Sequence, residues 1–369
     1  MFRKIPTMTA SNISKNLSIL KHLEPLARLT PSRLNELALL CVIEFISKDL
    51  DPLRMNTLSA QSVYLVRGEL DVRYVDGSKT ILCAGTAASH HPINANGLQI
   101  KYAIALTPIE VVKIDTDLLD IMLTWDQLSN NDSVVINQSS KNVSGVSFER
   151  TTADWLTDTA VFSAKALQSG VFSHFPPANI EEMFKRMEKI NVTADQVIIK
   201  QGEEGDYYYL IERGTAVVIR EKQRETEILA ELVAGTAFGE EALVSDNKRN
   251  ATIVMKTEGT LLRLNKTDFI ELLKVPMINL ISMANAREKA SQGAVWLDVR
   301  FPSEYSFDHI PNAINAPLNE LRGIAPILEK EKEYILYCQT GRRSAAAAFI
   351  LRQHGLKSAV LDGGLRTAR

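Results

Sequence analysis

The chain has 369 residues, of which 45% are hydrophobic and 23% are charged, so it is too long for one typical domain and too apolar for a disordered chain. Its net charge of −2 creates no general positive field, so no nucleic-acid partner is expected. The three cysteines are far apart, which argues against a disulfide framework, and no run is long and apolar enough to cross a bilayer, so we expect a cytoplasmic protein with no membrane partner.

The first predicted module covers residues 1–128 and contains helices followed by short strands. Leucines recur at helical intervals over residues 17–29, and residues 62–76 show the apolar and polar alternation of half-buried strands. Part of this pattern returns later, because residues 64–68 resemble residues 209–214. The internal repeat predicts two copies of one antiparallel β fold.

Residues 129–167 connect the two copies. Residues 129–133 and 137–145 are polar, rich in turn formers and poor in core residues, which predicts an irregular linker. Residues 155–167 predict a connecting helix that leads into the second copy.

The second copy, residues 168–277, adds a chemical cassette over residues 238–252. A glycine turn precedes a short run of helix formers, and the unpaired N–H groups of a helix start favour an anion. Arg249 can form a forked pair with a phosphate, and Glu240 can accept hydrogen bonds from sugar hydroxyls. These groups suit a small phosphorylated sugar, although an isolated pair of this kind could be a surface Glu–Arg pair beside a glycine turn.

The cassette resembles the phosphate-binding cassette of the cyclic nucleotide-binding domain, found in catabolite activator proteins and in regulatory subunits of cAMP-dependent kinase. The resemblance implies an antiparallel β-roll with helices at both ends, in which Glu240 holds the ribose 2′-hydroxyl and Arg249 the cyclic phosphate. Asn250 stands where Thr or Ser favours guanine in some members, so cAMP is favoured over cGMP as a regulatory ligand; no cofactor or metal is expected. The expected nucleotide-binding residues are Phe238, Gly239, Glu240, Glu241, Ala242, Arg249, Asn250 and Ala251.

The first copy departs from this cassette. Residues 85–87 match residues 235–237, but neither the Phe-Gly-Glu run nor the arginine follows, so we expect this degenerate copy to bind no nucleotide. It should serve a structural role or form dimer contacts, which makes a homodimer a possible assembly. His90 and His91 are adjacent and no third ligand is evident, so we expect a solvated loop there rather than a metal site.

The third module, residues 278–369, alternates strands with helices. Apolar runs over residues 294–300, 333–338 and 358–362 predict strands, and the alanine-rich residues 344–354 predict a helix. This alternation predicts a parallel α/β sheet, in which sites form at the carboxyl ends of the strands.

Cys338 lies at such a strand end, in a loop that opens the alanine-rich helix. Backbone N–H groups, the positive end of the helix, Arg342 and Arg343 should all favour the thiolate, so we expect a cysteine that is reactive near neutral pH. The alternative is a buried core cysteine, which is the commoner role of a lone cysteine.

The module resembles the rhodanese family of sulfurtransferases at residues 298–300, 309–317 and 337–344, with Glu304 and the 363–364 glycine pair also in place. The resemblance implies that Cys338 takes the outer sulfur of thiosulfate or a persulfide. It then holds that sulfur as a persulfide on the loop amides and passes it to a thiol or cyanide. The expected catalytic residues are Cys338, Gln339, Thr340, Gly341, Arg342 and Arg343, of which Arg342 and Arg343 should also bind the substrate.

The sequence therefore predicts a multidomain α+β and α/β chain, with two antiparallel β-roll (jelly-roll) domains followed by a rhodanese-like α/β domain with a parallel sheet. The expected function is a cAMP-responsive sulfurtransferase whose partners are the nucleotide and small-molecule or thiol donors and acceptors of sulfur. The alternative is a non-catalytic sensor of cyclic nucleotide or persulfide, or a signalling adaptor. A transcription factor is disfavoured, because the rhodanese-like module stands where DNA-binding helices would follow.

Overall fold

The chain divides into two compact units, one formed by Met1–Val143 with Ile278–Arg369 and the other by Ser144–Met277. Within the described helices, no segment is both long and apolar enough to span a bilayer. The linker helix expected over residues 155–167 lies outside the described residues. The computed structural model describes residues 10–53, 61–93, 99–129, 179–222, 225–244, 248–273 and 278–367.

The first module is a small β-roll closed by helices. Its described strands form two antiparallel sheets, in the orders β1-β6-β2 and β4-β3-β5. Strand β3 buries alternate residues, with Leu70, Val72 and Tyr74 in the core, as the polar alternation predicts. The elements are α1 (Ala10–Leu20), α2 (Pro31–Leu40), β1 (Val42–Ile46), β2 (Gln61–Arg67), β3 (Glu69–Tyr74), β4 (Lys79–Cys83), β5 (Ile100–Ala105), β6 (Ile109–Asp115) and α3 (Thr116–Ser129).

The second module repeats this plan, but each of its two described sheets has four strands where those of the first module have three. Its described strands pair antiparallel in the orders β11-β10-β13-β8 and β12-β9-β14-β7. Strands β2 and β9 share one burial pattern, which confirms the predicted repeat. Tyr209, Ile211, Phe238 and Leu261 form part of the core. The elements are α4 (Ile180–Arg186), β7 (Glu188–Val192), β8 (Val197–Ile199), β9 (Tyr207–Arg213), β10 (Ala216–Lys222), β11 (Glu225–Leu232), β12 (Ala237–Phe238), α5 (Glu240–Val244), β13 (Thr252–Met255), β14 (Gly259–Asn265) and α6 (Lys266–Leu273).

The third module is a parallel α/β sheet, as predicted. Over residues 278–367 the strand order is β15-β19-β18-β16-β17, and each pair is parallel. Consecutive residues are buried over residues 334–337 of β18 and 359–361 of β19, so these two strands are covered on both faces. The elements are β15 (Leu280–Ile281), α7 (Met283–Ser291), β16 (Val295–Asp298), α8 (Pro302–Phe307), β17 (Ile314–Asn315), α9 (Leu321–Ile324), β18 (Glu333–Tyr337), α10 (Arg342–Gln353) and β19 (Lys357–Leu361).

The first and third modules contact each other within one compact unit. The His91 ring stacks on Phe307 with 3.9 Å between ring centroids. The prediction of a solvated loop at His91 is therefore wrong, because the ring is half-buried and burial lowers its pKa. Ser303 Oγ donates to Glu24 Oε2 at 2.8 Å. The structural role expected for the first module thus includes contacts with the third module of the same chain.

The turn that follows β19 holds the loop after β18. Leu365 N donates to the carbonyl of Cys338 at 2.9 Å, and Arg366 N donates to the carbonyl of Gln339 at 3.1 Å. Gly364 has φ +62°, and a Cβ at this position would lie 2.5 Å from the Cys338 oxygen. A glycine is therefore required for the turn to approach the loop this closely.

We predict that Gly364→Ala destabilises this sheet more than Gly355→Ala does. Gly355 also has a positive φ, of +74°, but no atom lies within 4 Å of its added Cβ, so both variants share the backbone strain and Gly364→Ala alone adds a collision. The difference in the free energy of unfolding should be roughly 1–3 kcal/mol. Hydrogen-exchange protection of the β18 amides measures it. Equal losses in the two variants would contradict the prediction.

Candidate functional sites

The second module contains a cavity of about 280 Å³ in front of α5. Its apolar wall includes Ile199, Val218, Leu232 and Ile253, which belong to four different strands. Its polar side is the predicted cassette, and the structure brings all of its expected residues to this one cavity. They are Phe238, Gly239, Glu240, Glu241, Ala242, Arg249, Asn250 and Ala251.

Arg249 is held firmly at the base of this cavity and is 5% exposed. Its Nη1 donates to the Gly239 carbonyl at 2.7 Å, and its Nη2 donates to the Tyr207 carbonyl at 2.8 Å and to Asp206 Oδ1 at 3.0 Å. Gly239 has φ +93°, and a Cβ there would lie 2.9 Å from Nη1. The glycine therefore makes room for the guanidinium, and the three acceptors fix its plane before any ligand arrives.

The acidic residues of the cassette have different surroundings. Glu240 is half-buried, and burial raises the pKa of its carboxyl, although the nearby Arg249 charge acts in the opposite direction. Glu241 is exposed and accepts a hydrogen bond from the Asn250 side chain. Arg220 Nε donates to the Asn250 carbonyl at 3.1 Å, so Asn250 is held from both its side chain and its backbone.

The second candidate site is the loop between β18 and α10. Cys338 follows the last residue of β18, and Gly341 N donates to its Sγ at 3.1 Å. Ser344 Oγ lies 3.6 Å from the same sulfur and donates to the Gly341 carbonyl at 3.0 Å. The loop thus forms a small cradle around one sulfur atom, with a backbone N–H pointing at it.

Arg343 is fully buried behind this cradle and joins two carboxylates. Its Nη1 and Nη2 donate to the two oxygens of Glu304 at 2.7 and 3.0 Å, and its Nε donates to Asp120 Oδ1 at 2.9 Å. Burial alone would raise the pKa of Glu304, but the charge and hydrogen bonds of Arg343 lower it. The guanidinium therefore keeps a buried carboxylate ionised.

Asp120 belongs to α3 of the first module, yet it lies at the sulfur. Its Oδ2 is 4.0 Å from Cys338 Sγ and accepts a hydrogen bond from the Thr340 hydroxyl, and its side chain is 2% exposed. Cys338 is 0% exposed, and burial followed by the Asp120 charge raises the pKa of its thiol above the ordinary value. The prediction of a thiolate that is reactive near neutral pH is therefore wrong for this arrangement.

The two arginines of the loop have separate positions. Arg343 is engaged by carboxylates, whereas Arg342 is exposed and lines another cavity of about 280 Å³ together with Asp117 and Arg366. Among the described residues that line this second cavity, Cys338 is absent. Thr340 and Gly341 of the cradle loop line the same cavity as Arg342, so the two arginines lie on the same loop but have different surroundings, and the substrate-binding role expected for them stays a prediction. Gln339 is partly exposed, and its carbonyl is used by the closing turn.

Sequence reasoning missed the roles of two residues in this site. Glu304 was part of the motif that suggested the family, but no role was assigned to it. Asp120 gave no signal at all, because it is one acid in an apolar helix of another module. Across the described ranges, no group of three or more His, Cys, Asp or Glu side chains is placed to hold a metal ion.

The fold and the two sites define a chain that joins a cyclic nucleotide-binding domain to a rhodanese-like domain. The model of the cyclic nucleotide-binding domain family matches residues 189–275, and the model of the rhodanese-like domain family matches residues 282–367. Through this C-terminal domain the chain belongs to the rhodanese-like family.

Relatives with known names match one domain or the other. The cAMP-dependent protein kinase regulatory subunit of Dictyostelium discoideum is 31% identical over 111 residues, which is 30% of this chain and 34% of that protein. Thiosulfate sulfurtransferase PspE of Escherichia coli K12 is 37% identical over 73 residues, which is 19% of this chain and 70% of that protein. The match therefore spans about a third of the regulatory subunit's length.

Solved structures of regulatory domains are also similar to this chain. The regulatory domain of Toxoplasma gondii PKA with cAMP is 16% identical, with coverage of 78% of this chain and 100% of that chain and a TM-score of 0.27.

We predict that Arg343→Met lowers the free energy of unfolding of this unit by about 3–5 kcal/mol at pH 8, because two buried carboxylates lose their shared cation. The loss should shrink as the pH falls. In the wild type, the lowered pKa of Glu304 gives stability that is present above its unfolded-state pKa and is lost as the pH falls through the folded-state value. In the variant the Glu304 carboxyl has no cation beside it, so it should bind a proton more readily than it does in the unfolded chain. Protonation then removes the unpaired charge, and the variant loses less stability at low pH.

Protection factors of the β18 amides at pH 5 and pH 8 measure this difference. Arg342→Met is the matched control, because Arg342 is exposed and its loss should cost at most about 0.5 kcal/mol at either pH. A deficit in Arg343→Met that is equal at both pH values would be inconsistent with the paired carboxylates as its cause.

Proposed function

We propose that this chain binds cAMP in the second module and that its rhodanese-like domain transfers sulfane sulfur through Cys338. The observation that carries the nucleotide part is the shared cavity of about 280 Å³, which Glu240 and Arg249 both line. A carboxylate that can accept from a 2′-hydroxyl and a guanidinium for a cyclic phosphate are the groups such a ligand needs. The match to cyclic nucleotide-binding domains supports the same assignment.

The sulfur part is supported by the cradle around Cys338 and by the rhodanese-like match. The Cys338 thiolate attacks the outer sulfur of thiosulfate, so a new S–S bond forms while sulfite leaves with the electron pair of the old one. The persulfide anion then lies against the Gly341 N–H. A thiolate or cyanide attacks the outer sulfur, and the Cys338 thiolate leaves with its electron pair. The proton of the resting thiol must be lost before the first step.

A second candidate function is a sensor that carries or detects persulfide without useful turnover. The observation that favours it is the full burial of Cys338, which together with the Asp120 charge raises the pKa of its thiol. A cytoplasmic location, a homodimer and control of transfer by the nucleotide remain predictions.

We predict that Arg249→Lys weakens cAMP binding by about 10–100-fold, because a lysine cannot supply the charge-assisted fork that the guanidinium offers to a phosphate. Calorimetric titration of the full chain with cAMP, and in parallel with cGMP, measures the affinity. Arg213→Lys is the matched control, since Arg213 is exposed at the end of β9 and should leave the affinity unchanged. If Arg249→Lys bound as tightly as the wild type, the phosphate would have to be assigned elsewhere.

We predict that the full chain forms a Cys338 persulfide with thiosulfate and releases thiocyanate when cyanide is added, and that Cys338→Ser abolishes both products. Mass spectrometry of the 338 peptide and a colorimetric thiocyanate assay measure the two steps, with and without saturating cAMP. A persulfide without thiocyanate would favour the sensor. Turnover that is identical with and without cAMP would exclude regulation, and the absence of both products would exclude sulfur transfer.

A further inference from the structure

We propose that Asp120 is a tethered competitor of the anionic sulfur donor, and that the degenerate first module is the lid that holds it in the cradle. The inference rests on the proposed sulfur chemistry only for the identity of the donor. The contact itself is a property of the fold, because α3 and the cradle belong to one compact unit.

The Asp120 carboxylate contacts the groups that an incoming anion would use. Its Oδ1 accepts from Arg343 Nε at 2.9 Å, and its Oδ2 accepts from the Thr340 hydroxyl and lies 4.0 Å from Cys338 Sγ. Both the carboxylate and the sulfur are closed to water, with 2% and 0% exposure. A donor such as thiosulfate therefore cannot reach the sulfur while α3 is docked.

The charges around the sulfur also oppose the reaction in this state. Glu304 uses both Nη atoms of Arg343, and Asp120 uses its Nε, so one guanidinium faces two carboxylates. The resulting excess of negative charge disfavours a thiolate, a persulfide anion and an anionic donor alike. Without the Asp120 carboxylate, the charges of Arg343 and Glu304 would cancel. The Arg343 Nε–H would then be able to donate to an anion in the cradle.

The lid is held by polar and small contacts around this centre. Gln127 Nε2 donates to Asn319 Oδ1 at 3.2 Å, and His91 stacks on Phe307. If α3 moved away, Asp120 and the cradle would both become exposed to water. Asp120 and Arg343 would lose their ion pair, but both groups would be hydrated again. Reaction at Cys338 therefore requires a second, open arrangement of the first module.

The test measures alkylation of Cys338 in the full chain by two reagents, neutral iodoacetamide and anionic iodoacetate, at pH 7.5. Peptide mass spectrometry follows residue 338, and the partly exposed Cys83 in the same molecule serves as the internal reference. In Asp120→Asn, iodoacetamide should react about tenfold faster than in the wild type, because α3 loses the charged pair that holds it to Arg343 and uncovers the sulfur more often. Iodoacetate should gain by a similar factor, because either reagent reaches the sulfur only after α3 has moved and taken residue 120 away from the cradle.

Two further variants separate charge from loosening. Asp117→Asn removes an acid from the same helix, but its exposed pair with Arg366 should contribute little, so both rates should stay within about twofold of wild type. His91→Ala weakens the docking without a change at the cradle, so both reagents should gain by the same factor of about three. Thermal unfolding confirms that each variant is folded.

The lid is overturned if folded Asp120→Asn alkylates as slowly as wild type, or if iodoacetate alone accelerates, which would be an effect of charge without opening. It is also overturned if His91→Ala leaves Cys338 unreactive, a result that stays informative should Asp120→Asn not fold. The proposed sulfur transfer can fail while the lid stands. If Cys338 becomes reactive in Asp120→Asn but forms no persulfide with thiosulfate, the lid is supported and sulfur transfer is refuted. If the protein turns over thiosulfate but Asp120→Asn leaves the alkylation rate of Cys338 unchanged, only the lid is refuted.

Discussion

The buried guanidinium of Arg343 is the interaction on which the sulfur site depends. It is 0% exposed and binds two carboxylates that come from different parts of the chain, Glu304 from α8 and Asp120 from α3. A buried ion without partners costs several kcal/mol, so both carboxylates depend on this one guanidinium for a partner in the interior. The triad of Asp120, Arg343 and Glu304 connects the first module to the loop that contains Cys338. The packing of the first module over this loop is therefore linked to the stability of the unit.

The first module has kept the β-roll but uses its surface differently from the second. In the second module, the segment after the Gly-Thr-Ala run contains the cassette, whose residues line a cavity. In the first module, the corresponding segment contains His91, which stacks on Phe307 of the third module, and the helix after the last strand contributes Asp120. One fold thus forms a cavity in one copy and a face that packs against another module of the same chain in the other copy, which is consistent with the independence of fold and site.

Local signals in the sequence predicted most of the architecture. Alternation predicted β3, the alanine-rich run predicted α10, and the cassette residues converge on one cavity because they are close in sequence. The burial of Cys338 beside the Asp120 carboxylate, which raises the pKa of the thiol, could not be predicted in this way. The local rules concern the loop amide, the helix end and the arginines, and they describe the cradle correctly. Asp120, however, lies 218 residues away from Cys338, and its position depends on how two modules pack.

The turn around Gly364 has a consequence for the energetics of the cradle. Its N–H groups bind the carbonyls of Cys338 and Gln339 from within the third module, on the side of the loop that belongs to the sheet. The backbone conformation that aims the Gly341 N–H at the sulfur is therefore maintained by the domain's own framework and does not require α3. If α3 moved away, the loop would already have the conformation that binds an anion. Anion binding would therefore cost little free energy of reorganisation.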